Sequence, residues 1–158
     1  MPLIRWRQRG DEEAIFRLVK TELVPLSSRP GMRDGRLRRE IAERLRRGMT
    51  FVASRSAGSE PFAFVHMELH RNILFIDLLA VDSAEQNHRW GTRLMAEAER
   101  FGLSRGCREA RLFVDDTNVR GLRFYTKLGY AGVRHIPSAK CYELAKPLAA
   151  PTAMTWAF

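Results

Sequence analysis

The hydrophobic pattern of the chain changes its period near Gly48, and this change limits the folds that the chain can adopt. Before Gly48, apolar residues recur every four positions, which predicts an amphipathic helix over residues 34–48. After it, short apolar segments with a period of two predict three strands, at residues 50–55, 62–70 and 73–81. A tight turn at Arg71-Asn72 would join the last two strands. The middle of the chain is therefore predicted to be an antiparallel meander.

Strands and helices alternate on both sides of this meander. Residues 3–7 alternate apolar and basic side chains, which is typical of an edge strand, and a helix is predicted from about residue 11 to just before Pro25. The other predicted elements are a helix at 90–103, a strand at 111–114, a helix at 118–128 and strands at 133–136 and 141–144. A meander combined with strand–helix–strand connections predicts an α/β (α+β) fold, in which about four helices flank one mixed central sheet.

The composition predicts a single domain over residues 1–158. An apolar fraction of 45% provides for a sizeable core and excludes a disordered polycation. No apolar run approaches the ~20 residues of a membrane span, and no apolar segment follows the basic first ten residues as it would in a secretory signal. We therefore expect a cytoplasmic protein with no membrane partner. The segment 149–158 is apolar and uncharged, so we expect it to pack on the body or to contact a partner.

The net charge of +9 comes from 27 Lys and Arg against 18 Asp and Glu. Nearly all of the basic residues are arginines, a bias that fits a nucleic-acid partner, an acidic substrate or arginine-rich codon usage. Aromatic residues are not interleaved with the arginines, and no DNA-reading pattern occurs. A nucleic-acid partner is therefore the least favoured of these interpretations.

The polar loop after Val81 is a candidate binding site. A buried strand is predicted to end at Val81, and an amphipathic helix to begin at about Trp90. The N-terminus of such a helix presents unpaired N–H groups and the positive end of the helix dipole, which together bind phosphate. Basic side chains in this region add donors: His88, Arg89 and Arg93. An ordinary strand-to-helix connection is the alternative, because the loop has one glycine, Gly91, and lacks both Gly-rich phosphate patterns.

Two motifs, about thirty residues apart, carry a family resemblance. The first is Leu79-Ala80-Val81-Asp82 followed by Gln86-Asn87-His88-Arg89-Trp90-Gly91 and Leu94-Met95. The second is Asn118 followed by Tyr125, Lys127, Gly129 and Tyr130. Together they resemble the GNAT superfamily of N-acetyltransferases over residues 3–146. The resemblance implies a central sheet that is mostly antiparallel and splayed in the middle, acetyl-CoA as co-substrate, and no metal.

The resemblance also implies roles for the matched residues. Tyr125 would be the general acid near the thioester sulfur. The backbone of Leu79, Ala80 and Val81 would bind the pantetheine arm, with the Val81 N–H as the oxyanion donor. The cofactor contacts would further include Asn118, Lys127 and the pyrophosphate loop: Gln86, Asn87, His88, Arg89, Trp90, Gly91 and Thr92. From the residues alone, Tyr125 could also be a core tyrosine, and Asn118 could also be a helix N-cap.

Arg89 departs from the family pattern, because it occupies the position of the first glycine in the family's loop. Its side chain could crowd the approach of the pyrophosphate to the backbone. It could instead point outward and supply a phosphate contact, which is the outcome we favour.

The general base is sought among the acids and histidines of the meander. Under a strand period of two, Asp77 lies on the same face as Leu79 and Val81. With a turn at residues 71–72, His66 is expected opposite Asp77, and Glu68 opposite Phe75. A pair of His66 and Asp77 would raise the basicity of the imidazole. We therefore predict Asp77, His66 and Glu68 as candidate bases. A structural ion pair is the alternative, and a shift of the strand register by one residue would break the pairing of His66 with Asp77.

The favoured function is acetyl transfer from acetyl-CoA to a primary amine. In this family the acceptor side is built by the first two helices and the meander hairpin, where arginines cluster on residues 36–47 and at Arg29 and Arg33. This charge suits an acidic acceptor. A non-catalytic domain that binds acetyl-CoA and regulates a partner is the alternative, and a homodimer is left open.

Overall fold

Within residues 1–27 and 31–148, which the computed structural model describes, seven strands form one mixed sheet. The strands are β1 (Leu3–Trp6), β2 (Met49–Ser54), β3 (Pro61–His70), β4 (Ile73–Val81), β5 (Glu109–Asp115), β6 (Ala131–Ile136) and β7 (Cys141–Pro147). Their order across the sheet is β1-β2-β3-β4-β5-β7-β6. Only β4 and β5 pair in parallel. The predicted meander and the mostly antiparallel sheet are thus confirmed.

Four α-helices accompany the sheet in the described part of the chain: α1 (Glu12–Leu18), α2 (Asp34–Arg46), α3 (Trp90–Ser104) and α4 (Val119–Lys127). None of them is long and apolar enough to cross a membrane. The first helix does not stop before Pro25 as predicted, because it continues through a π turn (Val19–Leu23) into a 3-10 turn (Val24–Leu26). Pro25 lies in the first turn of that last segment, where its missing N–H costs no hydrogen bond.

The helices cover the two faces of the sheet and form two apolar clusters. Helices α1 and α2 pack on one face, where the stripe predicted from its four-residue spacing, Leu37, Ile41 and Leu45, is buried against β2 and β3. Helices α3 and α4 pack on the other face, against residues such as Val65 and Leu74. The strands of the meander therefore pack against helices on both faces of the sheet.

Strand β4 carries two irregularities that shape the site. Its register against β3 pairs Leu78 with His66 but Ile76 with Met67, so Asp77 is an extra residue and forms a β-bulge. Its parallel pairing with β5 stops at Ile76, although both strands continue. An opening therefore separates β4 and β5 beyond Ile76, which is the splay that the family resemblance implies.

The bulge makes two sequence expectations wrong. Opposite His66 lies Leu78 rather than Asp77, although Glu68 does lie opposite Phe75 as predicted. Asp77 also leaves the face of Leu79 and Val81, which pack on the α3 side of the sheet, and instead approaches Arg44 on α2. The physical reason is that one extra residue reverses the alternation of side chains along the rest of the strand.

Candidate active site

The backbone at the end of β4 faces the opening between β4 and β5. The N–H of Asp82 donates to the carbonyl oxygen of Phe62 on β3 (2.8 Å). Because successive residues of a strand direct their backbone groups to opposite edges, Leu79 and Val81 direct theirs into the opening. The Val81 carbonyl accepts a hydrogen bond from Gln86 Nε2 (3.0 Å). On the side of its N–H, the pairing of β4 with β5 has already ended at Ile76, so within residues 1–27 and 31–148 no strand pairs with this donor. A free donor therefore lies at the edge of the opening.

The first turn of α3 presents further free donors. Its N-cap, Arg89, has a left-handed backbone (φ 65°, ψ 20°) and forms no side-chain capping hydrogen bond. The first hydrogen bond of the helix runs from the Arg93 N–H to the Arg89 carbonyl (3.0 Å). The N–H groups of Trp90, Gly91 and Thr92 therefore have no acceptor in the part of the chain that the structure describes. Together with the helix dipole, these donors can bind a phosphate group.

The side chains of the pyrophosphate loop divide into two groups. Trp90 is buried and packs edge-on against Phe62, with ring centroids 5.1 Å apart. Gln86 is held by its neighbours, since Nε2 donates to Glu22 Oε1 (3.2 Å) and Oε1 accepts from Arg120 (3.3 Å). The remaining side chains are exposed at Asn87, His88, Arg89 and Thr92. The structure thus gathers the predicted loop residues, but it commits the side chains of Gln86 and Trp90 to packing.

Of the predicted β4 contacts, Ala80 is not brought to the opening. By the same alternation, its backbone groups face β3, and its side chain is buried in the cluster under α1 and α2. Only Leu79 and Val81 have the orientation that the prediction requires.

Two glycines let α4 approach this region. A Cβ at Gly91 would lie 3.2 Å from Cζ of Phe124 on α4 and 3.9 Å from Cγ2 of Val81. A Cβ at Gly121 would lie 2.5 Å from Nδ2 of Asn118, whose Oδ1 accepts the Gly121 N–H (2.9 Å). Asn118 therefore caps α4, while its cofactor contact stays a prediction.

Tyr125 and Tyr130 differ in their hydrogen bonding. The Tyr130 hydroxyl donates to Glu99 (2.8 Å), as expected of a core tyrosine. The half-buried Tyr125 packs edge-on against Phe124 and Tyr130, and its hydroxyl has no partner among the described residues. Burial raises the pKa of Tyr125 well above its usual range, so the phenol stays protonated near neutral pH. Lys127, at the end of α4, is exposed.

A buried His–Asp pair lies at the bulge of β4. His66 is fully buried, and its Nδ1 lies 2.8 Å from Oγ1 of Thr50 on β2. Its Nε2 lies 3.9 Å from Oδ2 of Asp77, and neither of these two buried atoms has a hydrogen-bond partner in the described structure. The other carboxylate oxygen of Asp77 lies 3.7 Å from Arg44. The pair is thus close in space, although the register that predicted it was wrong.

Burial controls the charge of this pair. It lowers the pKa of His66 to about 4, so the imidazole is neutral at physiological pH and the prediction that the pair raises its basicity is wrong. Burial also raises the pKa of Asp77, against the opposing effect of Arg44. Glu68, the third predicted base, accepts a hydrogen bond from the exposed His70 (3.0 Å). The ligand atoms of His66, Glu68 and Asp77 lie within 4.8 Å of one another, so the structure brings all three predicted bases together.

The arginines of α2 fall into two sets. Several form ion pairs, namely Arg38 with Glu13, Arg44 with Glu40 and Asp77, and Arg47 with Glu43. Arg33, Arg36 and Arg39 instead line an open surface cavity of about 500 Å³ and contact no carboxylate in residues 1–27 and 31–148. These three are free to meet an anion. Arg29 and the apolar segment 149–158 lie outside the described residues.

Comparisons with known proteins define the class to which this site belongs. The sequence profile of the acetyltransferase (GNAT) family matches residues 13–130, and the chain therefore belongs to the GNAT acetyltransferase family. No curated protein sequence matches the chain significantly.

Solved structures share the fold at low sequence identity. The ribosomal-protein-S18-alanine N-acetyltransferase from Escherichia coli is 16% identical, with 99% of each chain covered and a TM-score of 0.76. The PaiA N-acetyltransferase from Thermoplasma acidophilum, in complex with coenzyme A, is 19% identical, with 93% of this chain and 99% of that chain covered and a TM-score of 0.75. The NatC complex bound to Gag peptide and CoA is 18% identical, with coverages of 94% and 99% and a TM-score of 0.69.

Proposed function

We propose that the protein transfers the acetyl group of acetyl-CoA to a primary amine. The proposal rests mainly on the splay of β4 from β5 beyond Ile76, because it leaves the N–H of Val81 free at an opening between the strands. The family relationship and the CoA-bound state of two structural relatives support the same cofactor.

The residues at the start of α3 fit the phosphates of CoA. Three free N–H groups, those of Trp90, Gly91 and Thr92, face outward from the positive end of a 15-residue helix. The exposed guanidinium of Arg89 lies at the same turn, and the fixed side chain of Gln86 keeps the loop against the end of β4. When bound, acetyl-CoA supplies an acetyl group that is activated as a thioester.

Three groups of the chain would then promote the transfer. The Val81 N–H would stabilise negative charge that develops on the carbonyl oxygen. The Tyr125 hydroxyl would donate a proton to the departing sulfur, a role that suits a phenol whose raised pKa keeps it protonated. The cluster of His66, Glu68 and Asp77 would take the proton of the acceptor amine through water, since Nε2 and Oδ2 carry lone pairs without a partner.

The free arginines favour an acidic acceptor. Arg33, Arg36 and Arg39 line one cavity beside α2, the helix whose Arg44 reaches Asp77 of the base cluster. Complementary charge of this kind steers an anionic partner and orients it. We therefore include acidic peptides and carboxylated amines in the proposed acceptor class.

A screen for released thiol tests the proposal, with acetyl-CoA as donor and amino acids, polyamines, aminoglycosides and peptides with acidic or basic N-terminal sequences as acceptors. For the best acceptor, Tyr125→Phe should lower kcat about 10²-fold to 10⁴-fold and leave the Kd of acetyl-CoA unchanged. Tyr142→Phe is the matched control, since Tyr142 lies on β7 and its ring packs at a tilt against His135. An unchanged kcat in Tyr125→Phe would remove this residue from the mechanism, and tight CoA binding with no turnover on any acceptor would favour the non-catalytic regulatory domain.

A further inference from the structure

The cluster at the bulge of β4 contains one nitrogen and two carboxylates as potential ligands. His66 Nε2, one oxygen of Glu68 and one oxygen of Asp77 lie within 4.8 Å of one another. The nitrogen and the Asp77 oxygen are 3.9 Å apart, so an ion between them would lie about 2 Å from each, close to the bond lengths of Zn²⁺ to nitrogen and oxygen. With the ion between these two atoms, the Glu68 oxygen would have to move by up to about 2 Å to reach bonding distance.

The buried groups of this cluster lack partners that the fold could supply. His66 is fully buried, and its Nε2 and Asp77 Oδ2 form no hydrogen bond in the described part of the chain. Unpaired buried polar atoms are costly, so a native structure usually satisfies them with a bound group. A neutral imidazole carries one N–H, and at 3.9 Å a proton on Nε2 would not form a hydrogen bond with Asp77 Oδ2. In the Nδ1–H tautomer the two lone pairs face each other, and a cation between them would satisfy both atoms.

The surroundings of His66 allow it to act as a metal ligand. The Thr50 hydroxyl lies 2.8 Å from Nδ1, and where it accepts the Nδ1 proton the lone pair lies on Nε2. Gly48, which follows the end of α2, packs closely against the cluster, since a Cβ there would lie 3.1 Å from Cε1 of His66 and 3.0 Å from Cγ of Glu68. The ring is therefore held with Nε2 toward the carboxylates.

We propose that His66, Glu68 and Asp77 form a binding site for a divalent transition-metal ion, with Zn²⁺ as the best match. A set of one imidazole and two carboxylates suits zinc, whereas Mg²⁺ and Ca²⁺ prefer oxygen ligands alone. Arg44 reaches only the other oxygen of Asp77, and His70 bonds one oxygen of Glu68, so each carboxylate keeps an oxygen for the metal. The carboxylates of Glu40, Glu68 and Asp77 are balanced by the guanidinium groups of Arg7, Arg44 and Arg47, so the ligand atoms rather than a net charge would select the cation.

The site would regulate the enzyme rather than serve its chemistry. A metal ion would occupy the lone pairs that the proposed function assigns to proton removal, so Zn²⁺ is expected to inhibit acetyl transfer. This consequence rests on the proposed function, whereas metal binding itself does not, and the two are measured separately.

The test is a titration of the chelator-treated full-length protein with Zn²⁺ in a calorimeter, in the absence of acetyl-CoA, with Mg²⁺ as the comparison ion. We expect one Zn²⁺ per chain. Glu68→Gln should raise the Kd at least about tenfold, as should His66→Gln, because each removes a ligand. Glu68 is the safer substitution, since its side chain is 15% exposed and lies at the rim of the cluster. The matched control is His135→Gln, which removes the exposed pair of His135 with Asp116 and should leave the Kd unchanged.

Cobalt spectroscopy identifies the ligands. Co²⁺ bound at this cluster should show d–d absorption without a thiolate charge-transfer band, because neither Cys107 nor Cys141 belongs to it. Absence of Zn²⁺ binding, equal binding in Glu68→Gln, or a thiolate band would overturn the site. Binding by the wild type in a protein that transfers no acetyl group would support the site and contradict only the proposed function.

Discussion

Replacing Arg89 separates two features that the wild-type residue combines, a left-handed backbone and an exposed guanidinium at the proposed phosphate-binding turn. Its φ of 65° belongs to the region that favours glycine, which explains why the family places glycine at this position. Arg89→Ala removes the guanidinium and keeps the backbone strain. Arg89→Gly removes both. Comparing the two variants therefore separates the effect of the guanidinium from the effect of the left-handed backbone.

The magnitudes follow from these two features. A left-handed backbone costs an L-residue about 1–2 kcal/mol, and glycine loses about 0.5–1 kcal/mol to its greater freedom in the unfolded chain, so Arg89→Gly should stabilise the free protein by about 1 kcal/mol at most. Arg89→Ala should leave stability nearly unchanged. A hydrogen bond from a charged donor contributes about 1.5–3 kcal/mol, and because Arg89 is exposed we take the lower limit, roughly a tenfold change in Kd.

Isothermal titration with CoA gives the Kd, and urea unfolding without ligand gives the stability. We expect both variants to bind CoA about tenfold more weakly than the wild type, with a smaller difference at high salt. Arg105→Ala, at the opposite end of α3, removes the same charge and should change the Kd little. If Arg89→Ala binds CoA as tightly as the wild type does, the guanidinium contributes no phosphate contact and our interpretation is refuted. Tighter binding by both variants would show that the Arg89 side chain obstructs the phosphates.

Two further predictions concern the fold around the site. Asp11→Ala should destabilise the protein by about 3 kcal/mol in urea unfolding, because Asp11 accepts hydrogen bonds from Arg5 (2.8 and 3.1 Å) and from the Gln8 N–H (2.7 Å), and its loss leaves the buried charge of Arg5 without a carboxylate. Burial favours the neutral form of Asp11, but the hydrogen bonds from Arg5 and Gln8 outweigh burial and hold the pKa of Asp11 below its ordinary value. The contribution of Asp11 to stability is therefore present above about pH 4 and is lost as the pH falls through the lowered pKa. Asp11→Asn should show less of this acid dependence. Asn118→Ala should cost about 1 kcal/mol and lower the Tm by about 2–4 °C, whereas Asn118→Asp should keep the cap; an unchanged Tm in Asn118→Ala would contradict the capping role.

Periodicity predicts the elements of this fold well but not the irregularity that matters most. The stripe of Leu37, Ile41 and Leu45 is buried as its spacing predicts, since polar residues mark the other side of that helix. Strand β4 gives no comparable signal, because seven of its residues from 74 to 81 are apolar and only Asp77 is polar. Both faces of β4 are buried, so its composition is compatible with either alternation, and the bulge cannot be seen in the sequence.

The loop motif predicts the position of the site but not what holds it in place. Gln86 is predicted to contact the cofactor through its backbone, and the structure shows that its side chain is bonded to Val81, Glu22 and Arg120. Glu22 also accepts the Ser83 N–H (3.2 Å), a contact between residues 61 positions apart that no local pattern indicates. The contact between Thr50 and His66 could be predicted from the β2–β3 register, in which these residues face each other. The turn signals in the sequence do not determine that register.

The bulge at Asp77 combines two side-chain arrangements that a regular strand could not combine, one at Val81 and one at Asp77. Beyond it, Val81 must direct its N–H into the opening and its side chain toward α3, which fixes the alternation of the last residues of β4. Continued without interruption, that alternation would turn the carboxylate of residue 77 toward α3 and away from His66 and Arg44. The extra residue instead brings Asp77 to the α2 side, 3.9 Å from His66, while the Val81 donor keeps its direction. The proposed proton-accepting cluster and the proposed oxyanion donor therefore lie on two faces of the same strand because β4 is irregular between them.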